Sequence, residues 1–195
     1  MSAREAILAR VRANRPKGDY GLPDLPRFEL QQPGGLIASF SAALVAMGGK
    51  LIVPTANEDA AQMIQAQFPQ AGVVCSAVAE VSGNRDLNQV HNPRDLADVD
   101  VAVVRAVLGI AETGSVLFTE SELRVNTLAY LAQHLVVLLA REAIVPGLQD
   151  AYEHPCFRTA HYAVFHTGPS ATGDIEGVLI HGAQGVRSLT VVLTG

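Results

Sequence analysis

Two glycine-rich stretches carry the side chains in this chain that are best suited to chemistry. The first, residues 109–118 (GIAETGSVLF), places Glu112 in a turn bounded by Gly109 and Gly114, between two apolar segments. A carboxylate held at the end of a buried strand can act as a general base or a nucleophile, or can bind a ligand. The alternative is that Glu112 accepts backbone N–H groups and only holds its own turn.

The second stretch, residues 167–185 (TGPSATGDIEGVLIHGAQG), follows an apolar run and begins with a Gly-Pro turn. Thr172 or Gly173 is expected to cap a helix that starts near Gly173, with Asp174 and a second carboxylate in its first turn. The hydroxyl groups of Ser170 and Thr172 would then face the mouth of a cleft. Such a turn can receive an anion, although the two carboxylates count against a highly charged phosphate. The alternative is that the turn only ends a strand and starts a helix.

Arg124 and His134 are two further candidates between these stretches. A guanidinium group can pair bidentately with a carboxylate or a phosphate. The alternative for Arg124 is a salt bridge to Glu120 or Glu122. His134 comes directly before an apolar strand, where a lone histidine is more often structural than functional.

The cysteines and the remaining histidines do not predict a metal site. Cys75 and Cys156 are the only two cysteines, and they do not have the clustered spacing of iron–sulfur or zinc ligands. Cys75 lies in an apolar run and is expected to be buried, and Cys156 follows a proline in a predicted loop. The other five histidines show no HxH or HExxH spacing. We therefore expect no cofactor in this chain.

The elements that must position these residues alternate between short apolar strands and helices. This alternation predicts an α/β fold with a mostly parallel sheet and flanking helices. The predicted helices are 35–47, 57–68 with Asn57 as its cap, 144–153 with Pro146 in its first turn, and the helix from about 173. The predicted strands are 51–53, 72–75, 99–107, 115–118, 135–139, 162–165 and 189–193.

The N-terminal segment has a different character. Ser2 and Glu5 have the spacing of a capping box at the start of a helix. An extended arm rich in proline and glycine follows, from Pro16 to Pro33. We therefore divide the chain into a helix and arm (1–34) and one α/β domain (35–195). The arm packs either on its own chain or on a neighbouring subunit of a homo-oligomer.

Composition excludes several classes of function. The net charge is −5 and no Lys/Arg cluster is present, so nucleic-acid binding has little electrostatic basis. No apolar run approaches the roughly 20 residues that a spanning helix needs. The first residues lack the apolar core of a signal peptide, so we expect a cytoplasmic protein.

The two stretches, in this order and with Arg124 and His134 between them, resemble the LUD domain of the lactate-utilisation protein C (LutC-like) family. The resemblance covers about Asp98 to Gly195. It implies the fold of the superfamily of CoA transferases, ribose-5-phosphate isomerases and glucosamine-phosphate isomerases. One departure is that the family commonly has a GxHGP turn where this chain has residues 182–186, GAQGV.

The resemblance also implies a ligand site with Glu112 as the candidate catalytic residue. The implied ligand-binding residues are Glu112, Thr113, Gly114, Arg124, His134, Gly168, Ser170, Thr172 and Asp174. Glu112 and the turn around Ser170 are expected to line one shared hollow at the edge of the sheet.

The function implied by the resemblance is that of an accessory, non-redox component of an iron–sulfur-dependent system that oxidises L-lactate. The iron–sulfur clusters would lie in partner subunits, and this chain would bind those subunits or a small anionic metabolite. The rival interpretation is a stand-alone enzyme of the CoA-transferase or sugar-phosphate-isomerase type that uses Glu112. A scaffold that binds no ligand is a third interpretation.

Overall fold

The computed structural model of the chain describes residues 2–18, 21, 23–55, 59–174 and 176–195. The described helices, in chain order, are α1 Ala3–Ala13, α2 Leu36–Ala46, α3 Ala60–Gln67, α4 Glu120–Leu123, α5 Leu128–Leu131, α6 Leu148–Tyr152 and α7 Cys156–Thr159. The described strands are β1 Lys50–Ile52, β2 Val74–Ser76, β3 Val101–Arg105, β4 Leu108–Ile110, β5 Ser115–Thr119, β6 His134–Ala140, β7 Ile144–Val145, β8 Ala163–His166, β9 Ala171–Thr172, β10 Ile180–His181 and β11 Ser188–Thr194.

A five-stranded parallel sheet forms the centre of the fold, in the order β1-β11-β6-β3-β2. The two longest strands, β6 and β11, pair along their whole length from His134↔Ser188 to Ala140↔Thr194. Alternate residues of β6 belong to different cores: Leu135 to the larger one, and Val136 to a smaller one that includes α3 residues. Burial on both faces explains why these strands are continuous apolar runs. The predicted α/β fold with a mostly parallel sheet is confirmed.

A second sheet, which the sequence did not predict as a separate layer, has the order β7-β4-β5-β8. Its strands β4, β5 and β8 pair antiparallel, and β7 pairs parallel to β4. The predicted strand 99–107 is in fact β3, which ends at Arg105. Gly109 therefore lies inside β4, and the turn that carries Glu112 is limited to residues 111–114.

Helix α2 packs against both glycine-rich stretches. Gly114 has φ +67°, and a Cβ atom added there would lie 2.2 Å from the backbone N of Leu44. Gly168 has φ +69°, and its added Cβ atom would lie 2.1 Å from the carbonyl oxygen of Met47. Both positions therefore require glycine, because the backbone is left-handed and the helix backbone occupies the space of a side chain. The two motifs hold α2 in place, which is a structural reason for their glycines.

The prediction of a helix from about Gly173 is wrong, because the described residues of that segment are not helical. The segment forms a hairpin in which β9 and β10 pair antiparallel. Glu176 has φ +54° and Gly177 has φ +70°, a left-handed conformation that a right-handed helix does not contain. Thr172 also accepts the Asp174 N–H at 3.3 Å, a local bond that competes with helix formation.

Two other predicted helix boundaries are corrected. The predicted helix 144–153 begins instead as β7, because Ile144 pairs with Gly109, and α6 follows only at Leu148. The N-cap of α3 is Asp59, whose carboxylate accepts the Ala61 N–H. The predicted cap, Asn57, lies outside the described residues.

The N-terminal helix α1 has the predicted capping box between Ser2 and Glu5. None of its residues is buried, and the side chains of Ile7 and Val11 are each 62% exposed. The described part of the arm lies beside α6. Arg27 forms ion pairs there with two carboxylates, and Gln149 donates to the carbonyl group of Pro26. No helix in the described parts of the chain is long and apolar enough to cross a membrane.

Candidate functional site

A cavity of about 270 Å³ lies where β8 ends and the Gly-Pro turn begins. Its wall is made of α5, the end of β8, the turn, and the segment before β11. The lining residues are Ala129, Tyr130, Val164, Phe165, His166, Thr167, Gly168, Pro169, Ser170, Gln184, Gly185 and Val186. Two predicted ligand-binding residues, Gly168 and Ser170, are among them.

His166 contributes the most unusual group of the cavity wall. Its ring contacts the ring of Phe118, at a centroid distance of 5.3 Å, and the ring of Tyr130, at 4.9 Å. The Nε2 atom is buried and has no hydrogen-bond partner among the described residues. Burial lowers the pKa of His166 to about 4, so the imidazole is neutral at pH 7.

Tyr130 and Tyr162 form the neighbouring polar pair. Their hydroxyl groups are hydrogen-bonded to each other. Partial burial and this hydrogen bond raise the pKa of Tyr130 above its ordinary value, so that its hydroxyl group is also uncharged at pH 7. The pair fixes the position of the Tyr130 ring against His166.

A chain of hydroxyl groups connects the cavity to the first glycine-rich stretch. The Thr167 hydroxyl lies 2.6 Å from the hydroxyl of Ser115, which lies 2.7 Å from the hydroxyl of Thr113. Ser115 is buried on β5, so these bonds satisfy a polar group inside the protein. The predicted residue Thr113 thus contacts the cavity only through Ser115 and Thr167.

Ser170 is positioned by two backbone hydrogen bonds. Its N–H donates to the carbonyl group of Val186 at 2.9 Å, and its carbonyl group accepts the N–H of Gly182 at 2.7 Å. Its Cβ atom would lie 3.0 Å from a Cβ atom added at Gly185, so glycine leaves room for Ser170 in the wall. Thr172 and Asp174 belong to the hairpin and do not line the cavity.

Glu112 occupies a different place. Its carboxylate accepts the N–H of Leu148, the first residue of α6, at 3.0 Å. It lines a smaller hollow of about 160 Å³, together with the N-terminal arm and α6. This contact matches the alternative in which Glu112 accepts backbone N–H groups and holds local structure.

The prediction that Glu112 and the turn around Ser170 line one shared hollow is therefore wrong. The hollow at Glu112 and the cavity at Ser170 have no lining residue in common. The cavity lies beside the amino ends of parallel strands, since Val186 comes two residues before β11. Glu112 instead donates its N–H to the carbonyl group of Pro146, which follows the carboxyl end of β6 and the short strand β7. The two glycine-rich stretches meet through α2 and through the hydroxyl groups of Ser115 and Thr167, and they do not line one hollow.

Arg124 lies apart from both hollows. Its guanidinium group donates to the side chain of Asn88, and it forms no salt bridge with Glu120 or Glu122. Glu120 accepts the backbone N–H groups of residues 161 and 162, and Glu122 accepts the backbone N–H and the hydroxyl group of Thr119. Hydrogen bonds from the His161 N–H lower the pKa of Glu120. The salt-bridge alternative for Arg124 is therefore wrong, and its pairing with a ligand stays a prediction.

His134 is half-buried at the first position of β6. Its Nδ1 atom lies 2.8 Å from the Ser188 hydroxyl, and its ring packs on Phe68 at 4.7 Å. Burial, with a smaller contribution from the charge of Arg187, lowers the pKa of His134. These contacts fit a histidine that closes the amino end of the sheet. A ligand-binding role for His134, Arg124 and Glu112 stays a prediction.

Both cysteines are free thiols. Cys75 is buried as predicted, whereas Cys156 is the first residue of α7 and does not lie in the predicted loop. Burial raises the pKa of the Cys75 thiol. Within the described ranges, no group of three or more His, Cys, Asp or Glu side chains has an arrangement that could hold a metal ion.

Sequence reasoning missed His166, Tyr130 and Gln184 as residues of the cavity. The histidine spacing tests His166 only as a metal ligand, although this residue directly precedes the Gly-Pro turn of the second stretch. That adjacency was the available signal. Tyr130 and Gln184 reach the cavity through the pairing of β6 with β11, which no local pattern reveals.

Comparison with known proteins gives three similarities. The sequence model of the LUD domain matches residues 83–194. The lactate utilization protein C of Geobacillus sp. (strain WCH70) is 27% identical over 100 residues, which are 48% of this chain and 42% of that relative. The matched part of the chain thus spans less than half the length of that relative.

A crystal structure of a DUF162 family protein from Deinococcus radiodurans superposes with a TM-score of 0.64 and 15% sequence identity. The match covers 86% of this chain and 100% of that chain, and it shows a common fold. The match to the LUD-domain model extends over more than half of the sequence, including both glycine-rich stretches. The chain therefore belongs to the LUD-domain family.

Proposed function

We propose that this chain is an accessory, non-redox component of an L-lactate utilisation system. The observation that carries the proposal is the similarity of this LUD domain to a protein named lactate utilization protein C. The system would work in the cytoplasm, the compartment expected from the sequence. Lactate oxidation releases two electrons, which must pass to a redox centre.

The thiol count of the chain supports a redox centre in other subunits. Iron–sulfur clusters are commonly held by four cysteine thiolates. This chain has two cysteines in total, and Cys75 is buried in the core. Iron–sulfur partner subunits would therefore hold the clusters, and this chain would support their assembly or supply a bound ligand.

The cavity beside His166 is one part of the described chain that is suited to a ligand. It is concave, mostly apolar, and carries a few polar groups, as small-molecule sites usually do. The hollow at Glu112 is smaller, and its carboxylate is already bonded to the N–H of Leu148. This arrangement favours a binding role at the cavity over the rival enzyme in which Glu112 is the base or nucleophile.

The experiment is deletion of the gene, followed by growth on L-lactate or on glucose as the only carbon source. We expect the deletion to prevent or slow growth on lactate and to leave growth on glucose unchanged. The wild-type gene supplied on a plasmid should restore growth on lactate. Equal growth of the deletion and parent strains on lactate would contradict the proposed function.

A second assay addresses the partners. The tagged chain is purified from lactate-grown cells, and iron and acid-labile sulfide are measured in the eluate. Recovery of both with cysteine-rich subunits is expected. A matched purification of a tagged variant with Cys75→Ala and Cys156→Ala tests whether the metal belongs to this chain, since the proposal predicts the same iron content.

A further inference from the structure

An unpaired polar atom in the cavity beside His166 calls for a ligand. The Nε2 atom of His166 is buried without a hydrogen-bond partner among the described residues. Such an atom costs free energy unless a partner satisfies it. The ring contacts both Phe118 and Tyr130, so rotation of the side chain is restricted.

The cavity wall carries no charge that would neutralise an anion. Its lining residues, all within the described part of the chain, include no Lys, Arg, Asp or Glu. The two titratable side chains among them are His166 and Tyr130, and both are uncharged at pH 7 because burial lowers the pKa of the first and raises the pKa of the second. Moving a carboxylate or a phosphate from water into such a wall is unfavourable.

Neutral hydrogen-bonding groups are present instead. Ser170 and Thr167 offer hydroxyl groups, and Gln184 offers an amide at the exposed end of the cavity. The Thr167 hydroxyl bonds to Ser115 and keeps capacity for another bond, since a hydroxyl group has one donor and two acceptor sites. Together with the His166 side chain, these groups line a space of about 270 Å³.

We propose that this cavity binds a small uncharged molecule with hydroxyl or amide groups, one of which pairs with His166 Nε2, and that it discriminates against anions of the same size. The proposal rests on the ligand-binding part of the proposed function. It differs from the small anionic metabolite expected from the sequence, for which the wall offers no countercharge.

The test uses two matched pairs of probes. L-lactamide is compared with L-lactate, and glycerol is compared with glycerol 3-phosphate. Binding is followed at pH 7.5 by NMR of the histidine side chains, with the ring signals of His166 as the readout. We expect each neutral probe to bind at least about tenfold more tightly than its charged counterpart, the effect of roughly one net hydrogen bond.

His166→Phe is the matched variant, because phenylalanine keeps a ring in contact with Phe118 and Tyr130 and removes Nε2. We expect about a tenfold loss of affinity for L-lactamide. The control is His91→Phe at an exposed histidine outside the cavity, which should bind like the wild type. If His166→Phe fails to fold, the comparison of neutral and charged probes on the wild-type protein still decides.

Three results would overturn the inference. The first is that the charged probe of either pair binds as tightly as its neutral counterpart. The second is that His166→Phe folds and keeps its full affinity for L-lactamide. The third is that no probe shifts the His166 signals at concentrations on the order of 50 mM, where even weak ligands of this size are expected to bind. These outcomes are read from binding, whereas the proposed function is tested by growth of the deletion strain, so failure here is distinguishable from failure of the proposed function.

Discussion

Replacement of Gly114 by alanine tests whether the first glycine-rich stretch is a packing site for α2. The added Cβ atom would lie 2.2 Å from the backbone N of Leu44 and 2.5 Å from its Cα atom. Neither atom can move without displacing the helix. Gly177 is the matched control, because its φ of +70° is close to the +67° of Gly114 and nothing lies within 4 Å of its added Cβ atom.

The two variants share one cost and differ in another. A left-handed backbone costs a non-glycine residue roughly 1–2 kcal/mol. About 0.4–1 kcal/mol of this cost is offset, because alanine reduces the conformational entropy of the unfolded chain. Overpacking against a fixed backbone adds about 1–3 kcal/mol. Gly177→Ala should therefore lower the free energy of unfolding by about 1 kcal/mol, and Gly114→Ala by about 2–4 kcal/mol.

Urea unfolding followed by circular dichroism measures both values, with equal m-values as the check that the unfolding transition is the same. A difference of about 1–3 kcal/mol between the variants is the contribution of the contact with α2. Equal destabilisation of the two variants would refute the argument that α2 requires glycine at position 114.

Three further predictions follow from the contacts. His166 has a pKa near 6.5 in the unfolded chain and about 4 in the folded chain. The free energy of unfolding should therefore decrease by up to about 3 kcal/mol as the pH falls from 6.5 to 4, because only the unfolded chain gains the proton in this range. His166→Phe should remove this pH dependence. Glu112→Ala should lower the free energy of unfolding by about 1 kcal/mol, because the N–H of Leu148 loses its acceptor, whereas Glu112→Gln should have less than half that effect. Deletion of residues 2–15 should change the free energy of unfolding by less than about 0.5 kcal/mol, because α1 has no buried residue.

Each of these has a measurement that decides it. Urea midpoints at pH 7.5, 5.5 and 4.5 test the protonation of His166, and an equal decrease in wild type and His166→Phe would contradict it. For Glu112, equal unfolding free energies of the alanine variant and the wild type would show that the bond to Leu148 contributes nothing. For the deletion, a large decrease in the thermal midpoint would show that α1 packs on the chain after all.

The parallel sheet could be predicted because its strands are buried on both faces. Residues 135–139 and 189–193 read as uninterrupted apolar runs, and they became the paired strands β6 and β11. The Gly48-Gly49 pair also predicted that α2 ends in a left-handed turn. In the structure Gly48 has φ +82°, and the Gly49 N–H donates to the carbonyl group of Leu44.

The second sheet was not predicted, because its strands are short and because one apolar run contains its strand β4 together with β3 of the first sheet. Residues 101–110 divide into β3 and β4, which pair in different sheets, and only the long-range pairing shows the break. The segment after Gly173 has the acidic first turn of a helix in sequence, yet β9 and β10 pair across it. The helix propensity of this segment was overridden there by the pairing of the two short strands that flank it.

The candidate site was predicted in part. Gly168 and Ser170 line the cavity, whereas Glu112 and Arg124 lie elsewhere. Carboxylates in glycine-bounded turns serve as ligands or as local caps, and sequence alone does not distinguish them. The N–H of Leu148, which makes Glu112 a cap, comes from a residue 36 positions away in the chain.

Complementation of the deletion strain on L-lactate tests the central claim most directly, because it compares the cavity with the Glu112 turn in one assay. The strain receives the wild-type gene, His166→Phe or Glu112→Gln, and each protein is checked for equal abundance. We predict that His166→Phe grows slowly on lactate and normally on glucose, and that Glu112→Gln grows like the wild type on both. Full growth on lactate with His166→Phe, together with no growth on lactate with Glu112→Gln, would contradict the account. That result would indicate that the Glu112 carboxylate carries the function.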